Sequence, residues 1–484
     1  MTKYEAVIGL EIHAEMLTES KMFSGCRVVD SVEADPNSAV DPLSLGMPGM
    51  LPVVNRQAVE MAMKVGMALN CDINQFNAFE RKNYFYPDLP KGYQITQLAN
   101  PIATEGYLDI ELENGTTKRI RVTRAHIEED TGKLTHEGKG VSLVDYNRAG
   151  VPLLEIVSEP DIRSAEEALA YGAKVRQILR YTGVNTGDME KGVIRFEANI
   201  SIRKAGTEVL NTRVEVKNLN SFRAMSDAIN YQLKEQERIY EAGGSIDQET
   251  LGWDEAKRKT YSQRSKEDAH DYRYFPDPDL PPLFVDQEWI DRVREAMVEL
   301  PDTKINRYRN DLKLSDYDAQ VLAEDRQVAE WFDVAITAGG DPKKVANWII
   351  NNLFAYMNEH KQEIASIQIS PEGLVELIGL IESGTINNNT GKDVLVDMLA
   401  TGKGAKVIVA EKGLAQLSDE GPIIEIIQQV IEANPKMAAD YAGGKTKLRG
   451  AFVGFVMREL KGKGNPSLVN KLLDQALANL DPGS

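Results

Sequence analysis

Four prolines crowd into one short segment, "DYRYFPDPDLPPLF", and divide the chain into two kinds of sequence. Pro276, Pro278, Pro281 and Pro282 lie within seven residues. Proline lacks a backbone N–H donor and biases the preceding residue toward extended conformations, so no helix or central strand continues through this segment. We therefore predict a domain boundary just after it.

The two sides of this boundary differ in hydrophobic periodicity. Upstream, short runs alternate apolar and polar residues between Gly, Asn and Asp, which is typical of strands. One helix is predicted there in "SAEEALAYGAKVRQILRYTG", with Ser164 as N-cap, Glu167 as capping-box partner and Gly183 just past its end. Downstream, "SDYDAQVLAEDRQVAEWFDVAITAGG", "DPKKVANWIINNLFAYMNEH" and "SPEGLVELIGLIESG" each have helical spacing and begin at a capping residue, the last with Pro371 at its first position. The pattern predicts an α+β fold.

Length and a second change of pattern divide the chain further. A chain of 484 residues is long for a single core. Near "LATGKGAKVIVAEKG" the helical segments separate into two groups. We predict three parts: a sheet-rich catalytic domain over 1–290, an all-α helical domain over 291–405 and a small α-helical tail domain over 406–484.

Composition excludes several classes of protein. The chain is 27% charged and 42% hydrophobic, as globular proteins are and disordered or fibrous ones are not. No apolar run approaches the roughly 18 residues of a membrane span, and the first residues lack the features of a secretory signal, so we expect a cytoplasmic protein with no membrane partner. Cys26 and Cys71 are too few for a disulfide framework or a Cys-rich zinc site.

Four predicted strands carry polar faces of unusual composition. Alternation places these residues on one face of each strand: Glu11, His13 and Glu15 in "VIGLEIHAE", Glu155 and Glu159 in "VPLLEIVSEPD", Arg195, Glu197, Asn199, Ser201 and Arg203 in "GVIRFEANISIR", and Arg213, Glu215 and Lys217 in "NTRVEVKN". They are consistent with the wet side of antiparallel strands. However, carboxylates, an imidazole, an amide and arginines also suit divalent cations and phosphate oxygens. If the strands are neighbours, they carry a magnesium-phosphate site.

Two loops and an acidic cluster favour the same chemistry. "FERKNYFYPDLPKGYQITQ" interleaves Arg81 and Lys82 with tyrosines, and "YSQRSKEDAHDYRYFPDPD" is similar. Such loops can stack on bases and neutralise phosphate, although many only pack. "AHIEEDTGK" gathers three carboxylates beside His126, which is costly unless a cation or bases compensate. The P-loop, HExxH and GxSxG signatures are missing from the sequence, so a nucleotide would be held by carboxylate-bound metal and side-chain cations.

The net charge of −18 argues against general nucleic-acid binding, and DNA is not an expected partner. One segment, "GGKTKLRGAFVGFVMRELKGKG", has the opposite character, because Glu459 is its single acid. Its basic residues are Lys445, Lys447, Arg449, Arg458, Lys461 and Lys463. A solvated helical face and a local nucleic-acid patch both remain open on this pattern alone.

Several long motifs in order identify a family resemblance over essentially the whole chain. They are "VIGLEIHAEM", "GMPGMLPVVN", "RKNYFYPDLPKGYQITQ", "HIEEDTGK", "DYNRAGVPLLEIVSEPDIRS", "EVKNLNSF" and "DYRYFPDPDLPPL". Together they closely resemble the B subunit of the aspartyl/glutamyl-tRNA amidotransferase. The resemblance implies a first domain similar to the glutamine synthetase catalytic fold, followed by a helical domain and a tail.

The resemblance also implies an activity and partners. In that family a heterotrimer converts Glu-tRNA(Gln) to Gln-tRNA(Gln), and Asp-tRNA(Asn) to Asn-tRNA(Asn). An A subunit hydrolyses glutamine to ammonia, a small C subunit links the other two, and the B subunit performs the step that uses ATP and Mg²⁺. The expected substrate is therefore a misacylated tRNA.

The resemblance assigns roles to individual positions. The implied catalytic and magnesium-binding residues are Glu11, His13, Glu129, Glu155, Glu197 and Glu215. Glu128, the adjacent glutamate, is the alternative to Glu129. We infer from the residues themselves that the phosphate contacts are Arg81, Lys82, Arg195, Arg203 and Lys217. The basic segment containing Lys445, Lys447 and Arg449 is then interpreted as a tRNA-binding tail.

Two departures from the family pattern matter. Many members have four cysteines that form a zinc site, and the matching positions here are Ser24, Cys26, Asp41 and Ser44, so no zinc is expected. The usual Arg-Cys-Asp-Ala-Asn is here Arg-Phe-Glu-Ala-Asn, with Glu197 one methylene longer. Magnesium tolerates little geometric error, so direct coordination by Glu197 and a contact through water both stay open.

Two alternatives stay open at this point. One is a glutamine synthetase-like ligase acting on a free amino acid, against which the basic-aromatic loops and the basic tail argue. The other is a non-catalytic tRNA-binding or scaffold subunit, which the change at Glu197 keeps open. The sequence does not choose between the Glu-tRNA and Asp-tRNA routes.

Overall fold

One mixed sheet of twelve strands dominates the first part of the chain. The structure is a computed structural model that describes residues 3–136, 138, 140–264, 271–415, 420–460 and 464–480. It divides into two compact units, Met1–Pro301 and Asp302–Ser484. The strands lie in the first unit and most helices in the second, which confirms the α+β prediction.

The first unit contains sixteen strands and four helices among its described residues. The strands are β1 (Tyr4–Glu15), β2 (Asp72–Ile73), β3 (Phe76–Asn77), β4 (Glu80–Asn83), β5 (Tyr93–Thr96), β6 (Ala103–Glu111), β7 (Thr117–Glu129), β8 (Lys133–His136), β9 (Ser142–Asp145), β10 (Pro152–Ser158), β11 (Ile194–Lys204), β12 (Val214–Leu219), β13 (Thr250–Asp254), β14 (Lys259–Arg264), β15 (Phe275–Pro276) and β16 (Leu283–Phe284). The helices are α1 (Arg56–Ala68), α2 (Ala165–Tyr181), α3 (Phe222–Glu241) and α4 (Gln287–Glu295).

The strand order makes β1 the centre of the polar strands. The sheet follows the order β14-β13-β12-β11-β1-β10-β7-β5-β4-β15, with β6 on β7 and β2 on β6. Its pairings are antiparallel except for β12 with β13. β3 pairs with β16 and β8 with β9 outside this sheet. The four strands with polar faces are β1, β10, β11 and β12. The sequence did not predict how they pair, and the structure shows that they are neighbours in the sheet.

Helices cover the apolar face of this sheet. Alternation along β11 puts Phe196 and Ile200 on that face, where both are completely buried in the core. Gly172 of α2 lies so close that a Cβ atom there would be 3.1 Å from the Phe196 ring. Because a side chain at each odd position of β11 points the other way, the opposite face receives the charged residues.

The caps of α2 agree with the sequence except at one hydrogen bond. The Ser164 hydroxyl accepts from the Glu167 backbone N–H at 3.1 Å, and Gly183 follows the end of the helix with φ +69°. The Glu167 carboxylate accepts from the N–H of Arg163 rather than Ser164, at 2.6 Å, and also pairs with Lys118. The predicted reciprocal capping box is therefore wrong in its second half.

The second unit is helical. Its helices are α5 (Pro301–Asn310), α6 (Asp316–Ala323), α7 (Arg326–Thr337), α8 (Pro342–Trp348), α9 (Phe354–His360), α10 (Pro371–Glu382), α11 (Asn388–Thr401), α12 (Ala405–Glu411), α13 (Glu420–Ala433), α14 (Pro435–Ala442), α15 (Arg449–Glu459) and α16 (Pro466–Ala478). A π-helical turn, Ile349–Leu353, joins α8 to α9. Pro371 takes the first position of α10, as predicted, with Ser370 as N-cap.

Two separate hydrophobic cores lie within the second unit. One extends over residues between Tyr308 and Val409, and the other over residues between Ile423 and Leu477. The chain divides at Pro301, and the predicted three-part division with its boundaries stays a prediction. None of the described helices combines the length and the apolar character needed to cross a bilayer.

Candidate functional site

The first cluster of the polar face joins three neighbouring strands. β1 pairs with β10 so that His13 lies opposite Glu155, and β7 brings Glu128 alongside β10. The His13 Nε2 atom is 3.3 Å from Glu155 Oε2. Each of the three residues offers one ligand atom, and these atoms lie within 4.8 Å of one another. We name His13, Glu128 and Glu155 the His13 group.

The second cluster lies on the other side of β1. Glu11 is opposite Glu197 of β11, and Glu215 of β12 completes a set whose ligand atoms also lie within 4.8 Å of one another. Asn199 donates its amide to Glu11 Oε1 at 2.7 Å, and Lys217 Nζ lies 2.7 Å from Glu197 and 3.3 Å from Glu215. We name Glu11, Glu197 and Glu215 the Glu11 group. Because Glu11 and His13 are two residues apart on one strand, both groups share a face.

Negative charge is concentrated on this face. Burial raises the pKa of Glu11, and the nearby Glu155, Glu197 and Glu215 raise it further. Burial and Glu155 raise the pKa of Glu128 to about 7. Oxygen ligands that repel each other in a partly buried setting suit a hard divalent cation, which stabilises their charged forms. The two groups therefore fit magnesium by their chemistry.

Two histidines share the Glu155 carboxylate. Burial alone would lower the pKa of His13, but Glu155, with Glu197 and Glu128, raises it to about 9. His126 Nε2 is 3.5 Å from the same Glu155 oxygen, and burial lowers its pKa to about 4. The buried Nδ1 atom of His13 has no hydrogen-bond partner among the described residues. His126 was not among the predicted site residues, although it lies opposite Glu155 in the sheet.

The structure places the Glu129 carboxylate apart from both groups. Its carboxylate pairs with Lys91 and accepts from the Ile95 backbone N–H at 3.0 Å, away from the His13 group. The adjacent Glu128, rather than Glu129, lies with His13 and Glu155. The sequence contained a signal for this, because the buried Ala125 and Ile127 define the apolar face of β7 and leave Glu128 on the polar one.

Two of the predicted phosphate-binding cations, Arg81 and Lys82, are adjacent in β4 but make different contacts. Arg81 is held by Asp277 at 2.7 Å and Asp279 at 2.8 Å, so it is occupied elsewhere. Lys82 lies 5.2 Å from the centroid of the Tyr272 ring; burial would lower its pKa, but Glu128 raises it. Lys82 therefore borders the His13 group.

Two arginines of β11 are also engaged. Arg195 Nη2 is 2.9 Å from Asp130 Oδ2, and its Nη1 is 3.6 Å from Glu15. Arg203 pairs with Glu5. Since Arg203 is six residues beyond Glu197 in the same strand, it lies roughly 20 Å along β11 from the Glu11 group. The structure does not bring Arg203 to either group.

The predicted tail cations lie in and beside a short helical turn in the second unit. Lys445 pairs with Asp440 at 3.0 Å, and Arg449 pairs with Asp474 at 2.6 Å. Lys447 lies in the turn Thr446–Leu448 and is exposed. Lys461 and Lys463 lie outside the described residues.

The four positions that match the family's zinc cysteines come together without a zinc-like ligand set. Asp41 Oδ2 accepts from Ser44 Oγ at 2.7 Å and from Ser24 Oγ at 3.2 Å, and the Ser24 hydroxyl accepts from the Cys26 N–H at 3.3 Å. Zinc in structural sites prefers thiolates and imidazoles, and this cluster offers one thiol. Burial would raise the pKa of Asp41, but these hydrogen bonds lower it.

Comparison with known families defines the class. Residues 6–291 match the model described as the GatB/GatE catalytic domain, and residues 330–477 match the one described as the GatB domain. The chain belongs to the GatB family, which confirms the resemblance seen in its motifs.

Three similar proteins share one particular name, the B subunit of the aspartyl/glutamyl-tRNA(Asn/Gln) amidotransferase. The chain is 51% identical over 475 residues to the protein of that name from Thermodesulfovibrio yellowstonii, covering 98% of this chain and 99% of that protein. It is 50% identical over 481 residues to the Brevibacillus brevis protein, covering 99% and 100%. The Persephonella marina protein is 50% identical over 476 residues, covering 98% and 100%.

Proposed function

We propose that this chain is the component of a tRNA-dependent amidotransferase that activates the side-chain carboxylate of Glu-tRNA(Gln), Asp-tRNA(Asn) or both, using ATP. The single observation that carries the proposal is the pairing of the His13 and Glu11 groups on one face of a sheet. Family membership supports the same activity, that of a carbon–nitrogen ligase with glutamine as amide donor.

The chemistry explains why ATP is required. A carboxylate is a poor acceptor for ammonia because its resonance-stabilised anion offers no leaving group. Attack of a carboxylate oxygen on the γ-phosphorus of ATP forms a new O–P bond and breaks the bond to ADP, which leaves with the electron pair. Ammonia then attacks the acyl carbon, phosphate departs, a proton is lost and the amide remains.

Magnesium fits both groups. Glu11, Glu197 and Glu215 would hold one ion, and His13, Glu128 and Glu155 would hold another. When bound, the metal neutralises the charge that accumulates where several anions meet. Because the Glu197 side chain is one methylene longer than the family's aspartate, it would contact this ion directly or through a water molecule.

The chain's own cations complete the site. Lys217, between Glu197 and Glu215, and Lys82, beside Glu128, are placed to balance phosphate charge. Tyr272, packed under Lys82, offers an aromatic surface on which the terminal base of an aminoacylated tRNA can stack. Arg195 acts as a positioning residue, because Asp130 already holds its guanidinium.

The proposal includes partners. Ammonia has to be supplied by a glutaminase, which we assign to an A subunit, with a C subunit that links the two chains in a heterotrimer. The basic segment with Lys445, Lys447 and Arg449 is assigned to the tRNA backbone. The cluster of Ser24, Cys26, Asp41 and Ser44 gives no reason to include zinc.

One experiment tests the proposal. The purified heterotrimer is mixed with γ-labelled ATP, glutamine and each of four acceptors: Glu-tRNA(Gln), Asp-tRNA(Asn), uncharged tRNA and free glutamate. We expect ADP formation and amidated tRNA only with misacylated tRNA, and a loss of about 100-fold or more in both with Glu11→Gln. Equal ATP turnover with free glutamate would identify an amino-acid ligase. Tight tRNA binding without ATP turnover would identify a scaffold protein.

A further inference from the structure

A threonine lies at each end of the row of ligand residues that crosses the sheet. In the strand order, β5 lies beyond β7 and β13 lies beyond β12. Thr96 of β5 is directly opposite Glu128, and Thr250 of β13 is directly opposite Glu215. Directly opposed residues of adjacent strands project from the same face of a sheet. The outermost glutamate of each group therefore has a threonine beside it on the polar face.

Both threonines form a hydrogen bond with the glutamate that they face. Thr96 Oγ1 is 3.1 Å from Glu128 Oε2, and Thr250 Oγ1 is 2.9 Å from Glu215 Oε2. An ionised carboxylate only accepts hydrogen bonds, so the hydroxyl is the donor in each pair. Among the described residues, Thr96 donates the one hydrogen bond that reaches the Glu128 carboxylate. Each hydroxyl engages one carboxylate oxygen, and the second oxygen of that glutamate keeps its own contacts.

A threonine in a strand can hold a carboxylate in one orientation. Its β-branched side chain has restricted χ1 freedom, and Thr96 is only 3% exposed, so the position of its hydroxyl is fixed by packing. Carboxylates that bind metal ions are usually held by hydrogen bonds of this kind. Loss of such a partner typically lowers metal affinity roughly 10- to 100-fold.

We propose that Thr96 and Thr250 are positioning residues for the two magnesium ions, Thr96 through Glu128 and Thr250 through Glu215. The inference rests on the proposed function and adds to each group a residue that does not itself touch the ion. Because the two contacts lie at opposite ends of the row, each threonine acts on a different ion.

Binding of Mn²⁺ to the purified heterotrimer, without ATP or tRNA, tests the proposal. Electron paramagnetic resonance measures free Mn²⁺ and gives the affinity of each site. Thr96→Val removes the hydroxyl but keeps the shape of the side chain, and we expect it to weaken one site about 10-fold. Thr250→Val should weaken the other site by a similar factor. In Glu128→Gln protein, Thr96→Val should add little, because its hydroxyl acts through Glu128.

Two comparisons separate this role from a general effect on folding. Thr96→Ser and Thr250→Ser keep the hydroxyl donor, so both should bind Mn²⁺ with an affinity close to that of the wild type. Thr123→Val is the matched control, because Thr123 donates to Glu159 Oε1 at 2.8 Å and Glu159 belongs to neither group. We expect the control variant to bind Mn²⁺ as the wild type does.

Wild-type affinity at both sites in the valine variants would overturn the inference, and so would serine variants that bind as weakly as the valine variants. Thr250 is only half-buried, so unchanged affinity in Thr250→Val is decisive even if the variant at the buried Thr96 does not assemble. If the wild-type heterotrimer amidates tRNA with ATP while the valine variants bind Mn²⁺ normally, only this inference fails. A wild type without ATP-dependent amidation would refute the proposed function itself.

Discussion

At the scale of single residues, alternation predicted which side chains share the polar face. Glu11, His13, Glu155, Glu197 and Glu215 all lie in the two groups because each alternates with buried neighbours in its strand. The apolar residues of β7 indicate that Glu128, and not Glu129, lies on the polar face. The ion pairs that occupy Arg81 and Arg203 join distant segments, and no local pattern indicates them.

The two neighbouring glutamates make a matched pair for mutagenesis. We expect Glu128→Gln to raise the Mg²⁺ concentration for half-maximal ATP turnover by about 10-fold or more, because it removes a proposed ligand. Glu129→Gln should leave that concentration unchanged and lower the free energy of unfolding by about 3 kcal/mol, since it breaks the buried pair with Lys91. A shift in the magnesium requirement with Glu129→Gln alone would contradict the placement.

At the scale of elements, periodicity predicted helix and strand types better than their ends. The pattern "SDYDAQVLAEDRQVAEWFDVAITAGG" forms two helices, because the Asp325 side chain accepts from the N–H groups of Gln327 and Val328 and starts α7 anew. The apolar residues keep their helical spacing across this break, so the sequence pattern alone does not reveal it. In α2 the Glu167 carboxylate forms a salt bridge with Lys118 of β7 instead of the expected capping-box hydrogen bond. This is a tertiary contact, which capping rules do not include.

Two helices of the second unit are joined by a partly buried charge cluster. Asp333 of α7 accepts from Lys304 at 2.6 Å and Arg307 at 2.9 Å. Burial would raise the pKa of Asp333, but these hydrogen bonds lower it. As the pH falls, the unfolded chain therefore binds a proton at Asp333 before the folded chain does. The stabilisation is complete at neutral pH and is lost as the pH falls through the lowered pKa of the folded state.

We therefore expect Asp333→Asn to lower the free energy of unfolding by about 2 kcal/mol at pH 7. The difference from the wild type should shrink as the pH falls below about 4, the ordinary carboxyl range. Thermal unfolding of the full chain at several pH values measures it. A difference that stays constant down to low pH would show that the aspartate charge contributes nothing.

At the scale of the molecule, the sequence predicted the α+β class and the order of sheet and helices. It did not predict the strand order, because β1 pairs with β10 and β11, which lie more than a hundred residues away in the chain. That order creates the site: β1 supplies one ligand to each group, its neighbours β10 and β11 supply Glu155 and Glu197, and the next strands, β7 and β12, supply Glu128 and Glu215. The motifs established the family, whereas only long-range pairing could establish that the residues meet.

The location of divalent cations in crystals of the assembled enzyme grown with Mn²⁺ in place of Mg²⁺ tests this site most directly. Manganese prefers the same oxygen-rich ligands and scatters anomalously. We predict two anomalous peaks, one among His13, Glu128 and Glu155 and one among Glu11, Glu197 and Glu215. Absence of a peak from both groups, at a Mn²⁺ concentration that supports full ATP-dependent amidation, would contradict the proposed metal site.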